Sequence, residues 1–150
     1  MEGLNTRGLD NLIKSIKDSD LKVKVGILSG KNARPNGTTE TNASIGAKHE
    51  FGIGVPQRSF LRVPLNDNLQ KKIDKGVFTE DDIKEVVKLK SVLPWLKKIA
   101  VIAEGIVIEA FETGGDGKWP AWKNPNYKNG GGRLLVDTGS LRDSISSEIK

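Results

Sequence analysis

A broad apolar stripe after Pro94 constrains the fold more than any other feature of this 150-residue chain. Trp95, Leu96, Ile99, Ile102, Ala103, Ile106, Val107 and Ala110 recur at helical spacing, and Thr113-Gly114-Gly115 ends the pattern. A helix apolar over so wide an arc has to be enclosed by other elements, so this segment is expected to be the central core helix. Its longest apolar run, 99 to 108, is broken by Glu104 and is far too short to span a membrane. The length of the chain suits one domain with a real core, and not two of ordinary size.

The remaining segments supply what encloses that helix. Leu4, Leu9, Leu12, Ile13 and Ile16 predict an amphipathic first helix, ended by Ser19-Asp20. Leu21, Val23, Val25 and Ile27 alternate with Lys22, Lys24 and Gly26, which predicts a strand covered on one face. Residues 29–42 lack apolar periodicity and are expected to form a mobile polar loop. Ala43, Ala47 and Phe51 predict a short helix capped by Asn42 and stopped at Gly52. Pro56 and Pro64 bracket a short extended segment anchored by Phe60 and Leu61, with a helix through Leu65, Leu69 and Ile73 after it, closed by Gly76. Thr79-Glu80-Asp81-Asp82 resembles a capping box, and Ile83, Val86, Val87 and Leu89 continue it as a helix. A second long loop, 114–132, carries Trp119, Trp122 and Tyr127. Leu134 to Val136 is expected to be a brief strand, and Ser140 to Ser144 a turn of helix. The expected class is α+β: one domain over residues 1–150, a small, mostly antiparallel sheet packed on a long core helix and shorter helices, with two long loops.

Composition removes several chemistries. There is no cysteine and only one histidine, so thiolate chemistry is excluded, and no metal or cofactor site is expected. No basic-then-apolar leader opens the chain, which is therefore expected to be soluble and cytosolic when made. The net charge of +5 resides in the first half, with 13 basic and 8 acidic residues through Lys75 against 11 of each beyond it. Lys22 and Lys24 on the strand, with Lys31 and Arg34 in the loop, are candidates for facing DNA; a solvated sheet face is the favoured reading, since aromatic interleaving for base stacking is absent. His49-Glu50 lacks the second histidine of a zinc-protease helix, because Ile53 stands at that position. Gly117-Lys118 is not a phosphate loop, having Glu112 and Trp119 where glycine and serine or threonine are required. Gly130-Gly131-Gly132-Arg133 reads as a flexible loop. His49 is expected to make a structural hydrogen bond, and Trp119 and Trp122 to pack a loop or fill a partner's pocket.

Asp137-Thr138-Gly139-Ser140, led by apolar residues, resembles the catalytic turn of aspartic proteases. Such enzymes need two of these turns, and a homodimer can supply both. Only eleven residues follow Gly139, however, too few for the remaining barrel of such a protease. Asp137 or Thr138 is therefore expected to cap the short helix that follows.

Three segments in order carry a more specific resemblance. Ile45-Gly46-Ala47-Lys48-His49-Glu50-Phe51-Gly52 is the first, and Val55-Pro56-Gln57-Arg58-Ser59-Phe60-Leu61 the second. The third joins Gly117-Lys118-Trp119-Pro120-Ala121-Trp122 and Lys128 to Leu134-Leu135-Val136-Asp137-Thr138-Gly139-Ser140-Leu141-Arg142-Asp143-Ser144-Ile145. Together they resemble the virion morphogenesis, or tail completion, proteins of tailed bacteriophages. Gln57 and Ser59 stand where that family usually has alanine and proline. Family members also commonly continue into further strand, so the last strand here is expected to be available for pairing with a neighbouring subunit. The resemblance implies a non-enzymatic component of the phage neck or tail end, acting in head–tail joining as a ring of copies, a hexamer being one candidate. It implies neighbouring neck and tail proteins as partners: a head-completion or adaptor protein, a tail terminator or the tail tube. It also implies location in the virion after assembly in the host cytoplasm. Lys31, Arg34, Trp119, Trp122 and Tyr127 are the interface candidates. A homodimeric protease using Asp137 and a basic nucleic-acid-binding module are the alternatives.

Overall fold

A computed structural model describes residues 6–34, 39–122, 134–135 and 139–150. At its centre is α5 (Leu93–Thr113), with Pro94 in the first turn, where its missing N–H costs nothing, and Gly114 ending it at φ 65°. The other elements are α1 (Thr6–Lys17), β1 (Val23–Ile27), α2 (Asn42–Phe51), α3 (Arg62–Asp74), α4 (Glu80–Leu89), α6 (Ser140–Asp143) and β2 (Ile145–Ile149). The two strands form an antiparallel sheet with Val23 opposite Ile149 and Ile27 opposite Ile145. The sheet packs on α5, as do α3 and α4, and the class is the expected α+β. β2 pairs along one edge with β1 of its own chain.

The core forms where one face of α5 meets the sheet and the two segments leading into α3 and β2. Val107 and Phe111 are its most buried members, with Phe60, Leu135, Leu141 and Ile145 packed on them and Val25, Ile27, Ile45, Leu61, Leu65 and Trp119 around the edge. Phe111 lies one turn beyond Val107 and extends the predicted stripe to its last turn. No helix among the described residues is long and apolar enough to cross a membrane.

Local signals predicted several boundaries correctly. Thr79 caps α4 through a reciprocal pair with Asp82, and Gly52 ends α2 at φ 72°. Four expectations are corrected. The cap of α2 is Thr41, whose side chain accepts the Ser44 N–H, whereas Asn42 lies within the first turn and is buried. Pro64 does not precede α3 but sits in its first turn. Leu134 and Leu135 form a turn rather than a strand, with Leu135 at φ 62°. Residues 29–34 are not a free loop: a short 3-10 turn at Ser29–Lys31 leads into contacts with Asn42. Leu4, Tyr127, Lys128, Gly130 to Arg133, Val136, Asp137 and Thr138 lie outside the described residues.

Gly105 stands in the middle of α5 on its exposed side, and a methyl group there would meet nothing within 4 Å. Gly105→Ala is accordingly expected to stabilise the chain by about 1 kcal/mol, the helix-propensity difference alone. Thermal unfolding reads the gain, and a loss of stability would contradict it.

Candidate functional site

The last turn of α2 carries Glu50, which is 5% exposed. Gly52 reverses the chain there, at a point where an added Cβ would lie 3.0 Å from that of Gln57. The returning strand of loop is held by Arg58 N–H donating to the His49 carbonyl at 2.8 Å and by Gln57 Nε2 donating to the Glu50 carbonyl at 3.1 Å. This reversal delivers the start of α3 onto the Glu50 carboxylate. Oε2 accepts the backbone N–H groups of Phe60 and Leu61, both at 3.0 Å. Oε1 accepts Arg62 N–H at 3.1 Å and the Ser59 hydroxyl at 2.6 Å. Ser59 Oγ in turn accepts Val63 N–H at 3.1 Å.

The arrangement caps α3 from a distant helix. A helix leaves its first N–H groups without internal partners. Here Arg62 and Val63 are bonded by Glu50 and Ser59, and Pro64 has no N–H to satisfy. Negative charge at a helix N-terminus is also favoured by the peptide dipoles. Every oxygen of the Glu50 carboxylate is thereby occupied by the chain's own donors.

The third segment closes over the same junction. Arg58, 3% exposed, directs Nε to the Pro120 carbonyl at 2.9 Å and Nη2 to the Ala121 carbonyl at 3.0 Å, and its guanidinium lies 5.2 Å from the centroid of the Trp122 ring. Burial pushes the pKa of that guanidinium down from its ordinary value. Trp119 Nε1 donates to the Ser59 carbonyl at 3.1 Å. Its ring meets Phe111 edge-on at 6.0 Å, and Phe111 lies 5.1 Å from Phe60. Trp119 fits only because residue 115 is glycine, since a Cβ there would fall 2.2 Å from its Nε1. Pro56 is half-buried in the loop between these groups.

A second polar tie lies beside the first. Asn42 Oδ1 accepts from Arg34 Nη1 and from Ser140 Oγ, each at 3.1 Å, and its Nδ2 donates to the Lys31 carbonyl at 3.1 Å. Thus Lys31 and Arg34 are joined by Asn42 to the first residue of α6. Gly139, at φ 80°, occupies the cap position of α6 and offers no side chain for capping. Leu141 enters the core, and the buried Ser144 hydroxyl donates to the Leu141 carbonyl at 2.6 Å.

The structure therefore unites His49, Glu50, Gly52, Arg58, Phe60, Leu61 and Trp119, and links Gly139, Leu141 and Ser144 through the core. Phe51 is the exception, at 62% exposed, with Ile53 at 59% beside it. Trp119 and Trp122, interface candidates by sequence, are engaged within the chain. Lys22 and Lys24 lie at the sheet, where Lys24 Nζ stands 4.0 Å from Glu148 Oε1 and Lys150 Nζ 3.1 Å from the same oxygen. Asn42, read from the sequence only as a helix cap, and Ser59, read only as a departure from the resemblance, carry much of the polar connectivity. Among the described residues no group of three or more His, Cys, Asp or Glu could hold a metal ion.

His49 Nδ1 is buried and has no hydrogen-bond partner among the described residues. Burial, then Arg58, then Lys48 lower its pKa below the usual 6.5. The unfolded chain therefore takes up this proton first. The associated stability is fully present above 6.5 and is lost as pH falls from there toward the depressed folded value. His49→Gln is expected to flatten the pH dependence of stability in that window. Denaturant titrations at several pH values measure it, and equal slopes for both proteins would count against the assignment.

Searches against protein-family models, curated proteins and solved structures give no match for this chain.

Proposed function

We propose that the chain is a non-enzymatic structural subunit of a tailed-phage virion, acting in tail completion and head–tail joining as a ring-forming neck or tail-end component. The carrying observation is that the three segments bearing the resemblance meet in one hydrogen-bonded junction through Glu50, Arg58 and Trp119. Their polar groups are directed at the chain's own backbone, which is the use a scaffold makes of them. Exposed Phe51 borders an apolar groove of about 240 Å³ with Ala47, Phe60 and Leu61, a surface suited to a neighbouring subunit. Its partners are further copies of itself and adjoining neck and tail proteins.

Phage particles made without the chain are expected to show heads and tails unjoined, and microscopy of complete particles to place it at their junction. Normal particles lacking it would end the proposal. Contact with passing DNA is favoured by the basic sheet, where Lys24 and Lys150 share one carboxylate, Glu148, and Lys22 adds a further positive charge. Replacing Lys22 and Lys24 with glutamine is expected to reduce the salt dependence of DNA binding by about 0.9 in log–log slope for each phosphate that a lysine no longer neutralises. Unchanged slopes would remove DNA from the list of partners.

A further inference from the structure

The first helix, α1, is amphipathic, and the rest of the chain leaves it uncovered. It is 12 residues long, and Asp10, Asn11 and the run from Ile13 to Lys17 are all exposed. Ile13 is 42% and Ile16 38% exposed, so these two members of the predicted apolar stripe face solvent. Isolated helices shorter than about 12–15 residues are marginal in water, and proteins hold them by packing an apolar face. Gly8, Asn11 and the two β-branched isoleucines lower the intrinsic preference of this one further. α1 therefore needs a surface that the single chain does not provide.

α4 carries a face of matching kind. Its Val86 is turned into the core, but Ile83 and Val87, one turn apart, are 47% and 54% exposed. The facing ends of the two helices differ in charge. The last turn of α1 is basic, with Lys14 and Lys17, and the first turn of α4 is acidic, with Glu80, Asp81 and Asp82. Asp82 is held by Lys98 at 2.7 Å and Asp81 by Lys84 at 3.2 Å. Lys17, Asp10, Glu80 and Lys88 have no ion-pair partner among the described residues.

We propose that the apolar face of α1 packs antiparallel on the Ile83–Val87 face of α4 in a second copy of the chain. That direction sets Ile16 against Ile83 and Ile13 against Val87, with Lys17 beside Glu80 and Asp10 beside Lys88. Parallel packing on the same apolar residues would bring Asp10 to Glu80 and Lys17 to Lys88, like charge to like. The occupant is another copy because the chain itself supplies both faces, matched in apolar spacing and opposite in charge, and leaves both open within one molecule. A lipid surface suits α1 less well, since the helix has no aromatic residue and carries Asp10 among its charges. The contact closes as a reciprocal pair or passes from copy to copy around a ring, and it does not rest on the proposed phage role. One helix pair falls below the roughly 800 Å² per partner of a standard interface, so the association is expected to be reversible.

The chain has no cysteine, so introduced thiols report the contact without background. Ile16→Cys and Ile83→Cys, made in separate full-length chains and mixed, are expected to give under mild oxidation a disulfide joining the two different chains in preference to two like ones. Sedimentation equilibrium over a dilution series of the unaltered chain is expected to show reversible association. Val87→Asp, at a position open to solvent in the single chain, should weaken it about tenfold or more, the loss typical of a central interface residue. Lys17→Glu and Glu80→Lys should each weaken it, and a chain carrying both should recover, because each contact regains opposite charges. A role confined to the stability of either helix gives no such recovery. A chain monomeric at every concentration, or an association indifferent to Val87→Asp, overturns the proposal. So does a chain that stays monomeric while its α1 binds vesicles of anionic phospholipid, or one in which the two thiols, placed in the same molecule, join only within it.

Discussion

Glu50→Gln is expected to destabilise the chain by about 3 kcal/mol, and Glu50→Ala by about 3–5 kcal/mol. The carboxylate accepts three backbone N–H groups and one hydroxyl in a site closed to water. Glutamine keeps the shape but turns an NH2 toward donors, so two of those groups face another donor instead of an acceptor. Alanine leaves them with no partner. For a domain of this size the glutamine variant should melt roughly 10 °C lower. Glu50→Asp is a sharper probe, since the acid is kept but shortened by one methylene. Ser59→Ala should cost less, about 1–2 kcal/mol, because it removes one donor to Glu50 and the acceptor for Val63 N–H. Denaturant unfolding measures all four. A silent Glu50→Gln would mean that α3 is capped by other means.

Arg58→Ala is the second large effect, expected at about 2–4 kcal/mol. It removes the two donors that bind the Pro120 and Ala121 carbonyls and uncovers the Trp122 ring. Arg58→Lys should recover only part of that loss, since an ammonium is a point charge and cannot fork to two carbonyls from fixed positions. A double-mutant cycle with Trp122→Ala isolates the stacking, expected at about 0.5–2 kcal/mol. Additive losses in that cycle would show that the ring and the guanidinium act separately. The junction would then depend on the carbonyl contacts alone.

Both effects concern residues that the family resemblance highlighted, yet their roles were hidden in the linear order. Glu50 caps donors 9 to 12 residues further on, and Arg58 binds carbonyls more than 60 residues away. Nothing at either position in the sequence indicates such a partner. In α2 the consequence is the choice of inward face. The apolar series Ala43, Ala47, Phe51 marked the helix, but the buried positions are Asn42, Gly46 and Glu50. Gly46 admits the close approach, since a Cβ there would lie 2.8 Å from Ile27 Cδ1 and 3.2 Å from Phe60 Cζ. The hydrogen-bonding demand of the α3 start and the tie at Asn42 outweigh the burial of one phenylalanine, which is left on the surface.

Elements governed by neighbours within about four residues were legible from the chain alone. Thr79 with Asp82, Pro94 at the start of α5, Gly52 and Gly114 at helix ends, and the alternation of Val23, Val25 and Ile27 depend on local backbone geometry and apolar period. The helix pattern of α5 belongs to the same class, for a wide apolar arc requires enclosure wherever it occurs. Tertiary packing alone decided which face of α2 turns inward, that Pro64 lies within the first turn of α3, and which backbone groups Glu50, Arg58, Asn42 and Trp119 satisfy. A buried polar group must find partners wherever the fold brings donors and acceptors together, and those partners are set by proximity in space.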